Sequence, residues 1–377
     1  MLDLSAYLHP VNLSVIGENS FPDTQQIGNC IHVPSADAIA LEQADIVLIG
    51  CGEFRGKTKS EEYHFGTYKV RTALYEMYHW HQSVRLMDVG DIISGNSYED
   101  TLSALNYVLT EIQDAGKIAI VIGGSHDLAT AQYEVFKLLQ QSIDWANVDM
   151  KIDISDEDSA PNQQFLLKLL TDESNYLRAY SHIGFQSYYV NPTILQALDK
   201  LRFDFFRLGH VRSDIESMEP ILRDANMMTI DMNVVRNSDA HYDKRTSPNG
   251  FFGDEICYLM KFAGMSKGLT SIGIYEYLDE ADQMNVGATL IAQMIWYFIE
   301  GVSIRHIEAD VEMDISFDIF QVKIAGVNTQ FLKSKKTNRW WMSLPEGQYI
   351  PCLYKDYQAA LNNDVPERWI RAQERLM

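Results

Sequence analysis

Cysteine is scarce in this chain of 377 residues. The four cysteines lie far apart, at Cys30, Cys51, Cys257 and Cys352, and no C-x-x-C pair occurs among them. This spacing argues against a disulfide framework or a zinc ribbon and is typical of reduced cytosolic thiols. The N-terminus also lacks a basic region followed by an apolar run. We therefore expect a cytoplasmic protein.

Positive charge is in short supply as well. Lys and Arg together number 31 and Asp and Glu 52, which gives a formal net charge of −21 at pH 7. Such a charge repels a phosphate backbone or an anionic membrane surface. No apolar stretch reaches the roughly 18 to 20 residues that a membrane span needs. We therefore expect neither nucleic acid nor a membrane as a partner.

Short apolar runs alternate with helical patterns through the middle of the chain. Residues 44–52 and 117–122 are almost continuously apolar, as in strands that helices cover on both faces. Residues 98–115 show helical periodicity, and residues 288–298 are predicted to form a strongly apolar helix. This alternation predicts an α/β fold, with a three-layer α-β-α arrangement around a doubly wound, mainly parallel sheet.

The two ends of the chain differ from this middle part. Residues 1–43 carry three prolines among short apolar pieces, so we expect an irregular lead-in packed on the core. Residues 311–326 alternate like paired strands, and residues 354–371 favour a terminal helix. The sequence thus predicts an α/β domain over residues 44–300 and a C-terminal extension over residues 301–377.

An alternating run at residues 147–153 carries two carboxylates around one ammonium. Read as a strand, it points Asp149, Lys151 and Asp153 toward one face. Taken alone, this pattern is most often a half-exposed strand of an antiparallel sheet. A functional site at a strand end is the alternative.

Two further polar clusters follow apolar runs. His126 comes after a Gly-Gly turn that ends the run at residues 117–122, and Asp231 and Asn233 share the polar face of residues 227–233. Ligands of open α/β sheets bind beyond the carboxyl ends of the strands. A lone histidine after such a turn is more often a turn residue, so its assignment as a ligand depends on the other motifs.

The order of these motifs resembles the ureohydrolase superfamily, which comprises arginase, agmatinase and formimidoylglutamase. Metal ligands in that family come from G-G-x-H, D-A-H-x-D and S-x-D-x-D, each at a strand end. The matching segments here are Gly123-Gly124-Ser125-His126, Asp149-Met150-Lys151-Ile152-Asp153 and Thr229-Ile230-Asp231-Met232-Asn233. Asp88-Val89-Gly90-Asp91 is similar to the family's D-x-G-D turn. The resemblance covers residues 44–300 and is nearest to formimidoylglutamase.

This resemblance implies one intact and one degenerate metal site. In the family, two manganese ions share two aspartates, and a hydroxide between them attacks a guanidinium or formimino carbon. The ligands carried over for one ion are His126, Asp149, Asp153 and Asp231. The other ion would need a histidine in place of Lys151 and an aspartate in place of Asn233. We therefore expect one Mn2+ ion per chain, or none.

The resemblance also implies roles for side chains around the ion. We expect Lys151 to stand in for the missing ion, offset carboxylate repulsion and act in catalysis with Asp153. Glu276 matches the family's guanidinium-binding carboxylate and is predicted to be both catalytic and substrate-binding. Asn233 and His241 are predicted to line the substrate pocket, although the D-A-H-x-D that contains His241 follows no apolar strand.

Two functions stay open at this stage. One is a metal-dependent hydrolase that cleaves the C–N bond of a linear amidine, either a formimidoylglutamate-like or a guanidino compound, with a single-metal site. The other is a catalytically inactive relative with a binding, regulatory or assembly role. The resemblance further implies a homo-oligomer with a small amidine or guanidino ligand.

Overall fold

The computed structural model describes residues 2–16, 21–57, 67–155, 159–172, 174–240, 247–311 and 314–376. The strands are β1 (Leu8–His9), β2 (Ile46–Gly50), β3 (Leu86–Ile92), β4 (Ile118–Ile122), β5 (Ile143–Val148), β6 (Leu177–Phe185), β7 (Asp204–Arg207), β8 (Met227–Asp231), β9 (Ser271–Tyr275), β10 (Phe317–Ile324), β11 (Val327–Ser334), β12 (Trp340–Ser343) and β13 (Tyr349–Cys352). The helices are α1 (Leu13–Ile16), α2 (Ile27–Cys30), α3 (Tyr68–Tyr75), α4 (Tyr98–Asp114), α5 (Ala129–Leu138), α6 (Phe165–Thr171), α7 (Pro192–Asp199), α8 (Leu208–Ser213), α9 (Glu219–Leu222), α10 (Gly253–Gly264), α11 (Val286–Ile307), α12 (Tyr354–Leu361) and α13 (Glu367–Leu376). Short 3-10 helices lie at Leu41–Gln43, His126–Leu128, Pro161–Gln163, Ser187–Tyr189, Ile215–Met218, Met232–Val234 and Asp314–Ser316.

Within these described residues, nine strands form the central sheet, in the order β1-β3-β2-β4-β9-β8-β5-β6-β7. β1 runs antiparallel to β3, whereas the other neighbours pair in parallel. The predicted lead-in therefore contributes one short edge strand to the sheet. Parallel strands need crossover connections, and the helices between them supply these.

Helices cover both faces of this sheet because the strands are apolar on both sides. Ile118, Ile120 and Ile122 of β4 belong to one buried cluster together with residues of α10 and α11. Ala119 and Val121 belong to a second cluster with residues of α4 and α5. Side chains that alternate between two cores produce three layers. The predicted α-β-α fold is confirmed.

The strand predicted through residue 153 ends earlier than expected. β5 stops at Val148, and the chain turns shortly beyond it, where the Lys151 amide donates to Asp149 Oδ1 over 3.0 Å. An aspartate that accepts a hydrogen bond from the amide two residues on favours a turn over an extended strand. Side chains after Val148 therefore do not follow the alternation of the strand.

Helix α11 corrects one expectation from the sequence. By length and composition it is the one helix of the described chain that could cross a membrane, so the statement that no stretch is long enough was wrong. However, 61% of its apolar window is buried inside the protein, as in a core helix. α11 packs along α10, where Gly264 and Gly301 approach so closely that a Cβ on either would meet backbone atoms of the other helix at 2.4 Å or less.

The C-terminal residues form a second, antiparallel sheet in the order β10-β11-β12-β13. It buries its own apolar cluster around Phe331, Trp340 and Trp369. Arg223 connects this sheet to the α/β core, because its Nη2 donates to the Trp340 carbonyl over 2.9 Å. The predicted limit at residue 300 falls inside α11, and the division into three segments stays a prediction.

Arg71 of α3 fixes this helix to β3 through a buried ion pair. Its side chain is 3% exposed and its Nε lies 2.8 Å from Asp88 Oδ2, while the Asp88 side chain is fully buried. Arg71 Nη1 lies 2.8 Å from Asp91 Oδ1 as well. One cation thus pairs with two carboxylates, the fully buried Asp88 and Asp91, whose side chain is 36% exposed.

Replacing Arg71 with methionine should lower the free energy of unfolding by about 3 to 5 kcal/mol, because Asp88 would stay buried without its opposite charge. Arg85→Met is the matched control. It breaks the pair with Asp45, in which the arginine side chain is 52% exposed, and should cost less than about 1 kcal/mol. Urea denaturation of both variants measures the difference, and equal losses would contradict the assignment.

Candidate functional site

Four neighbouring strands, β4, β9, β8 and β5, end together at one edge of the central sheet. Their ends lie level, since Asp231 is in register with Tyr275 and Ile230 with Val148. The residues placed at this edge are His126 after β4, Glu276 after β9, Asp231 at the end of β8 and Asp149 after β5. Strand ends of an open α/β sheet are the usual place for a ligand site.

His126, Asp149 and Asp153 form a compact cluster at this edge. His126 Nδ1 lies 3.4 Å from Asp149 Oδ2 and 3.3 Å from Asp153 Oδ2. The possible ligand atoms of these three residues all lie within 4.8 Å of one another. The side chains of His126 and Asp149 are 1% and 0% exposed, and that of Asp153 is 11% exposed. The structure therefore brings together three of the four predicted metal ligands.

Asp231, the fourth predicted ligand, borders this cluster. Its Oδ2 lies 3.9 Å from His126 Nδ1. Its Oδ1 accepts hydrogen bonds from the backbone amide of Asn233 over 2.6 Å and from Asn233 Nδ2 over 2.7 Å. Asn233, predicted to bind substrate, thus orients Asp231 in the structure. A partner of this kind fixes the direction in which a carboxylate presents its other oxygen.

Several buried atoms of the cluster have no hydrogen-bond partner among the described residues. They are His126 Nδ1 and Nε2, Asp149 Oδ2 and Asp153 Oδ2. Buried polar atoms are nearly always paired, so such a group needs an explanation. Carboxylate oxygens and an imidazole nitrogen are donors that suit a divalent ion such as Mn2+. The residues present therefore fit a metal ion.

The carboxylates of the cluster repel one another in a buried setting. Burial, followed by the charge of Asp149, raises the pKa of Asp153 to about 7. Burial and the charges of Asp149 and Glu276 raise the pKa of Asp231 well above its ordinary value. Burial opposes the charge on His126, yet contacts with Asp149 and Asp153 raise its pKa well above the ordinary value. Without an ion, protons balance part of this negative charge.

The structure does not place Lys151 among these carboxylates. Its side chain is exposed, and its Nζ lies 5.8 Å from the centre of the Tyr189 ring. The reason is the early end of β5, which leaves residue 151 off the strand face that carries Asp149. The predicted position of Lys151 as a replacement for a metal ion is therefore corrected, and its catalytic role has no support from its placement.

Glu276 is buried, with 1% of its surface exposed, and its backbone φ is +64°. Non-glycine residues seldom adopt this left-handed conformation, and it is common at functional sites. Glu276 Oε1 accepts hydrogen bonds from the His126 amide over 3.0 Å and from Asn162 Nδ2 over 3.1 Å. Glu276 Oε2 lies 2.7 Å from Lys57 Nζ. The carboxylate predicted to bind a cationic substrate already has a lysine as its partner.

Sequence reasoning missed Lys57 and Asn162. Lys57 follows the glycine-rich end of β2, the strand beside β4, so its place at the same sheet edge was a signal that could have been used. Asn162 lies in the 3-10 helix Pro161–Gln163, and no pattern pointed to it. His241 lies outside the described residues, and its predicted role stays a prediction.

The affinity for Mn2+ should rise with pH, because an ion must displace the protons that the cluster holds. Since the pKa of Asp153 is raised to about 7, this carboxyl is protonated below that value and charged above it. Each proton released changes the affinity by up to about tenfold per pH unit below the pKa. Calorimetric Mn2+ titrations at about pH 6 and about pH 8 test this expectation. Equal affinity at both values would contradict the assignment of these residues as ligands.

Comparisons with known proteins agree with this fold. The family model "Arginase family" matches residues 44–300, well over half of the chain. The structure is similar to Trypanosoma cruzi formiminoglutamase solved with Mn2+, with a TM-score of 0.63, 18% identity, and coverage of 71% of this chain and 96% of that one.

Two further solved structures show the same fold. Formimidoylglutamase from Bacillus subtilis has a TM-score of 0.65 at 17% identity, covering 76% of this chain and 95% of that one. Agmatine ureohydrolase of Thermoplasma volcanium has a TM-score of 0.56 at 18% identity, covering 75% and 95%. A search of curated proteins finds no match. On the evidence of the family match, this chain belongs to the arginase family.

Proposed function

We propose that this arginase-family protein hydrolyses the C–N bond of a linear amidine, either a formimidoylglutamate-like or a guanidino compound, with one divalent ion. The observation that carries the proposal is the buried cluster of His126, Asp149 and Asp153, whose facing atoms have no partner among the described residues. Similarity to formiminoglutamase solved with Mn2+ supports both the ion and the substrate class.

His126, Asp149 and Asp153 would hold the ion, with Asp231 beside them. A divalent ion supplies a Lewis acid and makes water acidic enough to act as a nucleophile near neutral pH. The described residues contain one group of side chains that could hold a metal ion. We therefore include one ion per chain in the proposal.

The residues around the ion would bind the substrate and orient the ligands of the ion. Glu276 presents a buried carboxylate that would pair with the amidinium of the substrate. Asp153, to which we assign a catalytic role, would act through the ion that it holds, because the ion displaces the proton that the raised pKa keeps on this carboxyl. Asn233 would keep Asp231 turned toward the ion.

A catalytically inactive relative is the second candidate, and one observation favours it. The ammonium of Lys57 already pairs with the Glu276 carboxylate, which a cationic substrate would need for binding. A protein of this kind would use the fold for binding, regulation or assembly. In either case we propose a homo-oligomer in the cytoplasm, since the family resemblance and the composition support these assignments.

Protein dialysed against Mn2+ should carry about one ion per chain and release ammonia, formamide or urea from one of three compounds: N-formimino-L-glutamate, agmatine or arginine. Asp149→Asn should lose both the ion and the activity, because Asp149 is a fully buried member of the cluster. Lys151→Gln should keep its Mn2+ content, since this side chain is exposed.

Elemental analysis and product assays separate the possible results. One bound ion without any product would favour the inactive relative. A wild-type protein that takes up no ion would overturn the metal assignment, and an Asp149→Asn variant with full activity would do the same.

A further inference from the structure

The contact between Lys57 and Glu276 lies beside the cluster of His126, Asp149 and Asp153. The Nζ of Lys57 is 2.7 Å from Glu276 Oε2, and the two side chains are 20% and 2% exposed. Glu276 Oε1 is held at the same time by the backbone amide of His126. Glu276 therefore cannot turn its carboxylate away from the cluster without losing this hydrogen bond. The ion pair forms because the Lys57 side chain extends to this fixed carboxylate.

The loop that carries Lys57 is fixed at several points. The Cys51 amide donates to the Ile122 carbonyl over 3.0 Å, and the Ser125 amide donates to the Glu53 carbonyl over 2.9 Å. The Asn162 amide donates to the Gly56 carbonyl over 3.2 Å. The first two hydrogen bonds join the loop to the turn that precedes His126, and the third joins it to the 3-10 helix Pro161–Gln163. The position of Lys57 is thus set by the backbone around the site.

Arg55 adds a side-chain anchor to the same loop. Its Nε donates to both carboxylate oxygens of Glu53, over 2.9 and 3.0 Å. Its Nη1 and Nη2 donate to the carbonyls of Asn96 and Ser97, each over 3.0 Å, next to the start of α4. Several hydrogen bonds of a planar guanidinium hold a fixed geometry, so the loop is tied to α4 as well.

Gly56 lets this loop come close to the site. A Cβ at this position would lie 2.0 Å from Asp127 Oδ2, and Asp127 is 1% exposed and follows His126 directly. A buried carboxylate next to a predicted metal ligand has little room to shift. The residue before Lys57 must therefore be a glycine for the lysine to reach Glu276 along this path.

We propose that Lys57 is a specificity-determining residue, a built-in cation that a cationic amidine must displace from Glu276. The chemical class of the ligand rests on the proposed function. An ammonium and an amidinium both bind a carboxylate through charged N–H groups, and two cations beside one buried carboxylate repel each other. The partial exposure of Lys57 leaves its amine a path toward solvent when a ligand enters. The lysine therefore weakens the binding of every monocationic ligand and favours ligands that offer further contacts in compensation.

The test uses formamidine hydrochloride as the probe, at constant ionic strength and with the full-length protein loaded with Mn2+. Calorimetry should show that Lys57→Gln binds formamidinium at least about tenfold more tightly than the wild type does, because Glu276 is then without its lysine. The double variant with Glu276→Gln should lose this gain. Unchanged affinity in Lys57→Gln would overturn the proposal.

Lys261→Gln is the matched control. Lys261 pairs with Glu300 over 2.8 Å, and its side chain is 23% exposed, close to the 20% of Lys57. The substitution removes the same charge from a similar lysine and glutamate pair outside the site. Formamidinium affinity should stay at the wild-type value in this variant, and an equal gain there would overturn the assignment to Lys57.

A second measurement needs no variant. Acetic anhydride labelling of the wild type, read by mass spectrometry at each lysine, should increase at Lys57 when formamidinium is added, since a displaced amine is more accessible. The label on Lys261 serves as the reference. Lower or unchanged labelling of Lys57 at saturating probe would overturn the proposal.

The outcomes separate this inference from the proposed function. Tighter formamidinium binding by Lys57→Gln in a protein that hydrolyses no amidine would support the inference and overturn the hydrolase assignment. Amidine hydrolysis by the wild type, together with unchanged affinity in Lys57→Gln, would overturn the inference alone.

Discussion

The structure depends on one electrostatic constraint, the gathering of several carboxylates in the interior at a single edge of the sheet. Asp149 and Glu276 are at most 1% exposed, and Asp153 and Asp231 lie close by. Like charges that leave water raise one another's pKa and favour any arrangement that adds positive charge. Positive charge near these carboxylates can come from three groups. They are His126 at the centre, Lys57 on one side and the expected divalent ion. The loops around the edge can be understood as supports that hold these cations in place.

Much of this arrangement could be predicted from the sequence because the strands are strongly patterned. β4 is apolar on both faces, and its glycine-rich end places His126 at the sheet edge, so a short pattern determined both the strand and the site. The same reasoning assigned Asp149 and Asp231 to the ends of neighbouring strands, and β5 and β8 are indeed neighbours in the sheet. Parallel strands with continuous apolar runs leave few alternatives for where polar residues can go.

The sequence was a poor guide where a side chain's position depends on the backbone after a strand. Lys151 was predicted to share a face with Asp149, but a turn after Val148 breaks the period of two that the argument required. Lys57 was overlooked because its partner lies 219 residues away in the chain. Contacts between loops over such separations leave no local pattern in the sequence, since they depend on how the complete sheet aligns its ends.

The level ends of the strands have a consequence for how the protein folds. The hydrogen bond from the His126 amide to Glu276 spans 150 residues, and β9, which carries Glu276, is inserted between β4 and β8. Strands that are far apart in the chain pair slowly, because the chain between them loses conformational entropy before the stabilising contacts form. The acidic cluster is therefore complete only when β9 lies between β4 and β8. An ion that binds the finished cluster would stabilise the completed fold over every partly folded form.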